Sequence, residues 1–326
     1  MRHFFLPTVI SVLLLIAVYL FLGIWAAITA LLLVVLEVTL SFDNAVVNAR
    51  ILENMSPLWQ KRFLTWGMLI AVFGTRVVLP ILIVSASVWI SPIVIAQLAL
   101  FSPEEYAHHL ESAHYVISSF GAVFLLMVSL KYFFNEAKEV HWMSKVEEFL
   151  SRWGRIEAIE IGISLLVLST IAFFSHQHQA EILSSGIIGI ILFIVMQGIS
   201  TSFAEGVTNT ATTAGFTLFL YLNVLDSAFS LDSVVGAFAL TTSIAIIAIG
   251  LGIGAYFVRS LTLYFVEQKT LHAMIYLEHG AHWAILALAL SMFSSLLFEV
   301  PEIITGGIGI LFVATAYWSS VKLKKI

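Results

Sequence analysis

Apolar runs of about 20 residues follow one another along almost the whole chain, separated by short stretches rich in Gly, Pro, Ser and charged side chains. A helix of that length crosses about 30 Å of hydrocarbon. With the turn signals between them, the runs predict spans near 4–22, 24–49, 63–90, 115–134, 158–175, 184–203, 213–240, 243–266, 277–298 and 302–321. Pro80 and Pro92 interrupt the third, which allows one kinked helix plus a re-entrant piece. The first run follows Arg2 as a signal peptide would, but a second begins at once without a small-residue cleavage site, so it reads as a retained helix. The expected fold class is all-α, a polytopic transmembrane bundle of about ten spans.

Composition agrees with that pattern. Of 326 residues, 60% are hydrophobic and 11% charged, too little polar surface to coat a water-soluble globule. The absence of cysteine excludes disulfides, thiolate metal sites, iron–sulfur clusters and cysteine nucleophiles, and leaves His, carboxylate and neutral oxygen as ligands. The net charge of -5 comes without a basic or aromatic–basic run, so nucleic acid is not an expected partner and the lipid bilayer is. No His-Glu-x-x-His motif is present, no prosthetic group is implied, and the chain is not read as an enzyme. Alternating the loops between two sides collects every Lys and Arg on one side except Arg76, which falls inside a span. The bias predicts cytoplasmic N- and C-termini in a multi-pass bacterial inner-membrane protein. The opposite loops carry Glu104, Glu105, His108, His109, Glu111, His176, His178, Glu181, Glu299 and Glu302, either a solvated polar rim or a face that attracts cations.

The chain also repeats itself. Glu37-Val-Thr-Leu-Ser41-Phe-Asp43-Asn44 in span 2 aligns with Asp226-Ser-Ala-Phe-Ser230-Leu-Asp232-Ser233 in span 7. Gly67 precedes Arg76 by nine residues, as Gly250 precedes Arg259. Leu110-Glu111 followed by His114-Tyr115 is answered by Leu277-Glu278 followed by His282-Trp283. Three matches in one order predict two five-helix repeats, 1–157 and 158–326, and an odd number of spans per half inverts the second in the membrane. The segment 135–157, with Trp142 and Trp153, reads as an amphipathic helix on the membrane surface, a connector or a lever between the halves.

The stripes carry the chemistry. On an ideal helix Glu37, Ser41, Asn44 and Asn48 share one face, as do Asp226, Ser230 and Ser233. Asp43 and Asp232 follow the first acid of each stripe by six residues, about 120° around the helix. One straight helix cannot aim both acids at one point, so spans 2 and 7 are expected to break near Ser41 and Ser230, or to feed two sub-sites. A carboxylate near the bilayer centre costs roughly 2.5–3.5 kcal/mol, and a dication would compensate four of them. The metal set so read is Glu37, Asp43, Asn44, Asp226, Asp232 and Ser233, supported by Ser41, Asn48 and Ser230; its all-oxygen character suits Mn, Mg or Ca. Alternatively the acids are partly protonated, or pair with Arg76 and Arg259, and only hold helices together, or each arginine replaces the cation between transport events. Arg259, near a span end, also reads as a snorkelling residue, whereas Arg76 calls for a partner. Glu111, His114, Glu278 and His282 have ligand-like spacing and are candidates for an outer mouth, against a capping or packing role. Glu205 either guides ions at the cytoplasmic mouth of span 6 or is simply solvated.

Glu37 and Ser41-Phe-Asp43-Asn44-Ala45, answered by Asp226 and Ser230-Leu-Asp232-Ser233, resemble the TerC family of integral membrane proteins, within the LysE-type transporter superfamily. The paired Leu-Glu and His-aromatic motifs look like its longer branch, long classed as a domain of unknown function. The resemblance covers about residues 24–320 and implies manganese export, with Glu37, Asp43, Asp226 and Asp232 matching the intramembrane acids of similar Mn(II) exporters. The expected function is therefore a secondary transporter exporting Mn(II), with inward protons as counter-ion. An organic-solute or amino-acid exporter, and a non-transporting metal sensor or scaffold, are the alternatives. Oligomeric state is not legible.

Overall fold

The computed structural model describes the chain except residues 1, 54, 157, 206–210, 242, 268–273, 299, 301 and 324–326; also outside the description are the side chains of residues 2–3, 64, 68, 71–72, 79, 199–205, 211–214, 231–232, 235–236, 238–239 and 302–306. The described residues form helices and no strands. Among the described residues four helices are individually long and apolar enough to cross a membrane, or six if each of two bent pairs is one span. The structure thus shows an all-helical protein with several membrane-spanning candidates, in keeping with the apolar periodicity.

The first half opens with α1 (Arg2–Leu22), which packs on α2 (Ile24–Leu40). A bend of 51° separates α2 from α3 (Phe42–Glu53), and the residue between them is Ser41, with φ -104 and ψ 12. The break expected near Ser41 is therefore present. It places Asp43 in the first turn of α3, where the free amides and the dipole of a helix N-terminus stabilise a carboxylate. The counterpart expected near Ser230 is absent. The helix α12 (Ala211–Leu240) runs unbroken through it, because the span-7 acid Asp226 draws its partners from other helices, as described below.

The third apolar run is not one helix. It comprises α4 (Pro57–Leu69), a π-helical stretch (Ile70–Val78) that holds Arg76, and α5 (Leu79–Val88). At Trp89, in the left-handed region at φ 56, the chain turns into α6 (Pro92–Phe101), and the pair Phe73–Val88 and Pro92–Phe101 is bent by 118°. Pro92 starts the new helix because its missing amide proton is no loss at a first turn. The helix α7 (Pro103–Ser112) leads into α8 (His114–Phe133), and α9 (Ser144–Trp153) is the connector.

The second half comprises α10 (Ile159–Phe174), α11 (Gln179–Glu205), α12, α13 (Ile244–Glu267), α14 (Leu277–Ser295) and α15 (Glu302–Leu323). The halves interleave. The helix α8 is the core of the bundle, packed against α11, α12 and α14, and α13 lies along α2. Two glycines permit that approach: a Cβ at Gly250 would stand 2.6 Å from Leu33 Cβ, and one at Gly254 2.5 Å from Glu37 Cβ. The close contact presses α13 onto the very turn that carries the first acid.

Candidate functional site

Glu37, Ser41, Asn44 and Asn48 line one small cavity together with Arg76, Asp226, Ala255, Val258 and Arg259. Its volume is about 10 Å³, near the least that admits one water. The stripe at offsets 0, 4, 7 and 11 survives the break at Ser41 as a single lining surface.

Each acid of the cavity has an arginine from the next span of its own half. Arg76 Nη2 donates to Glu37 Oε1, and Ser41 Oγ donates to the same oxygen at 2.9 Å. Arg259 Nη2 donates to Asp226 Oδ2 at 3.0 Å. Glu37 is fully buried and Arg76 and Arg259 nearly so. The halves are tied across the cavity. Asn44 Nδ2 donates to Asp226 Oδ1 at 2.6 Å, Asn48 Nδ2 approaches it at 3.4 Å, and Thr75 Oγ1 lies 3.4 Å from Ser230 Oγ. Arg259 also reaches the Phe63 and Gly67 carbonyls of α4, each at 2.8 Å, with its guanidinium 4.1 Å over the Phe63 ring. Arg259 does not snorkel to an interface: three oxygens and a ring face hold its planar fork inside the protein.

The glycine–arginine spacing acquires an unequal meaning. A Cβ at Gly67 would stand 2.9 Å from Arg259 Nη1, so Gly67 makes room for the arginine of the other half, whereas Gly250 makes room for Leu33. The Phe63 and Gly67 carbonyls were not legible as ligands, since any helix presents the same backbone groups. Thr75 was missed for want of a periodic signal.

Three acceptor oxygens of cavity-lining residues, Glu37 Oε2, Asn44 Oδ1 and Asn48 Oδ1, are buried without a hydrogen-bond partner. Buried polar atoms are nearly always paired, and leaving one unpaired costs about 1–3 kcal/mol. These three oxygens are acceptors, which a cation, a proton or a water donating hydrogen bonds satisfies and an anion does not.

The remaining site residues divide. Asp43 is buried but does not line the cavity; its Oδ1 accepts the Asn44 amide at 3.0 Å. Ser233 Oγ donates to the Ser230 carbonyl one turn back in its own helix, at 2.9 Å. The side chains of Asp232 and Glu205 lie outside the described residues, as do Glu299 and the Glu302 side chain. Among the described residues no three His, Asp or Glu side chains are grouped to hold a metal ion. The metal set read from the sequence is thus not assembled as one cluster among them, because arginines occupy the sides of Glu37 and Asp226 that further carboxylates would need.

The four outer-mouth candidates do not share a mouth. His114 lies against the Ser295 carbonyl at 3.3 Å, at the C-terminal end of α14. Glu278 and His282 sit at the N-terminal end of that same helix, where Glu278 pairs with Arg50 at 3.2 Å and His282 stacks on Tyr132 at 3.6 Å. The cause is antiparallel packing: α8 and α14 run against each other, so motifs at their two N-termini end up on opposite faces. His114 Nδ1 also approaches Ser118 Oγ at 3.3 Å, and His282 Nδ1 the Glu278 carbonyl at 2.8 Å, which are packing and capping contacts.

A further buried carboxylate escaped notice because the connector is mixed in charge. Glu147 of α9 is fully buried. It receives His279 Nδ1 at 2.7 Å, Trp283 Nε1 at 2.9 Å and the Trp142 amide at 3.2 Å, and pairs with Lys138 Nζ at 3.0 Å. Lys138 in turn lies 4.1 Å over the Tyr132 ring. The connector is clamped to the start of α14, in the other half of the chain.

No match to the chain was found among curated proteins or among solved structures. A family match does exist, over residues 42–326, so that it takes in α3, the π-helical stretch and everything after them and leaves Glu37 and Ser41 just outside. With most of its length so matched, the chain belongs to the family described as "Protein of unknown function (DUF475)".

Proposed function

We propose that the protein is a secondary transporter that exports a divalent cation, Mn(II) foremost, from the cytoplasm by alternating access between two inverted five-helix halves. The observation that carries the proposal is the set of three buried acceptor oxygens without a hydrogen-bond partner, on Glu37, Asn44 and Asn48, around a cavity lined by two arginine-paired carboxylates. Charge supports it. Two guanidiniums neutralise Glu37 and Asp226; one dication brings the same two positive charges to those carboxylates, and the displaced guanidiniums must then reach water or other acceptors. The arginines are then counter-ions that withdraw when the cation binds, and the carboxylates with the Asn44 and Asn48 amide oxygens form its hard donor set.

The inverted repeat is supported by the matching of Glu37–Arg76 in spans 2 and 3 with Asp226–Arg259 in spans 7 and 8. It is also supported by α2 packing on α13 while α12 packs on α4 and the π-helical stretch, the equivalent pair with the halves exchanged. A π-helical stretch at Arg76 suits a residue that must move, since such segments recur at functional sites. The resemblance of the acid stripes to the TerC family favours manganese within the oxygen-loving dications, and release from carboxylates makes protons the natural counter-ion. The one-sided distribution of basic loop residues supports cytoplasmic termini.

Titration of Mn(II) into the purified protein in lipid nanodiscs, followed by loss of the free-ion EPR signal, tests the site. Wild type is expected to bind, with Glu37→Gln and Asp226→Asn each weakening binding at least about tenfold, as removal of a charged ligand requires. Affinity unchanged in both variants would place the ion elsewhere.

A further inference from the structure

The connector helix α9 has two working faces, and among the described residues only one is occupied. The inward face carries Glu147, clamped to His279, Trp283 and Lys138, with Leu150 packed against the main core. The outward face carries Val146, Phe149 and Trp153 at positions i, i+3 and i+7, continued by Ile156 just beyond the helix. These side chains are 46, 56, 40 and 54% exposed. A helix fixed by a buried ion cluster cannot roll to hide such a stripe. Lys145 and Arg152, both exposed, border the stripe on the side away from the core, and exposed Glu148 lies farther around. Arg155 is paired with Glu136 at 3.8 Å and takes no part.

Position selects the occupant. The chain reaches α9 from the end of the apolar α8 at Phe133 and leaves it into the apolar α10 at Ile159, so the stripe lies at the depth where those helices meet the bilayer surface. An apolar stripe edged by cations is the pattern of a helix lying in the headgroup region, where its basic residues are attracted to an anionic leaflet. We infer that α9 is a docking surface for anionic phospholipid: Val146, Phe149, Trp153 and Ile156 enter the acyl boundary and Lys145 and Arg152 engage the headgroup phosphates. The Glu147 clamp holds the helix in the orientation that presents this face. The inference stands on exposure, charge and the clamp, and holds whatever the protein transports.

Because the chain has no cysteine, a single one is a unique label. Phe149→Cys carrying a polarity-sensitive fluorophore is reconstituted into nanodiscs of phosphatidylcholine alone and of phosphatidylcholine with phosphatidylglycerol; Trp153→Cys serves if the first variant does not fold. The expected result is a blue-shifted emission and a several-fold drop in iodide quenching in the anionic discs relative to the zwitterionic ones. The same label at Glu148→Cys should stay open to iodide, and Lys145→Glu with Arg152→Glu should abolish the difference between the discs. A label equally quenched in both discs, equally shielded in both, or shielded in detergent in proportion to protein concentration, as a second copy would do, overturns the inference.

Discussion

Replacing Arg76 by Met is expected to destabilise the protein by about 3–5 kcal/mol, the usual cost of removing one member of a buried ion pair. Glu37 is fully buried, and its Oε1 is held by Arg76 and Ser41. Without the guanidinium the carboxyl must either remain charged in a low-dielectric interior or take up a proton, and both cost free energy at neutral pH. The double variant Glu37→Gln with Arg76→Met should regain most of the loss, since removing both charges removes the uncompensated one. Equilibrium unfolding in mixed micelles checks both variants. A single variant as stable as wild type would show that Glu37 is not charged in the folded protein, and the counter-ion role of Arg76 would fall.

Glu147→Leu is expected to cost a similar 3–5 kcal/mol, because it strands Lys138, His279 and the Trp283 indole at once. The clamp also has a pH signature. Burial alone raises the Glu147 carboxyl, but hydrogen bonds from His279 and Trp283 and the charges of His279 and Lys138 outweigh it and hold the pKa at about 2, against an ordinary 4.5. A folded pKa below the unfolded one means stabilisation that is complete above about pH 4.5 and is lost as the pH falls toward 2. Wild type should therefore lose stability relative to Glu147→Leu across that window, with the gap between them closing. A gap that stays constant down to pH 2 would contradict the ionised clamp.

The sequence carried the class of fold and the lining of the site, and the reasons are physical. Apolar runs of bilayer length admit little besides helices, because backbone groups in lipid must be satisfied within the segment. The break at Ser41 was legible because two acids six residues apart cannot face one point. The same reasoning failed at Ser230. There Asp226 is satisfied from outside its own helix by Asn44, Asn48 and Arg259, and the helix stays whole. Arg259 was misread because its position near a span end says nothing of carbonyls on α4, which no side-chain pattern encodes. Placing Glu278 and His282 beside Glu111 and His114 treated matched motifs as neighbours, whereas antiparallel helices separate them. The Glu147 clamp draws His279 and Trp283 from a segment more than a hundred residues away, and only folding brings them together.

The account turns on whether buried carboxylates that are paired with arginine in this structure serve transport or only hold helices in place. Purified protein in sealed proteoliposomes, with Mn(II) on one side and a proton gradient across the membrane, separates the two. The account predicts gradient-dependent Mn(II) flux by wild type, and flux reduced to the level of protein-free vesicles in Glu37→Gln and Asp226→Asn. Full flux in both variants, or none in a correctly folded wild type, would contradict it.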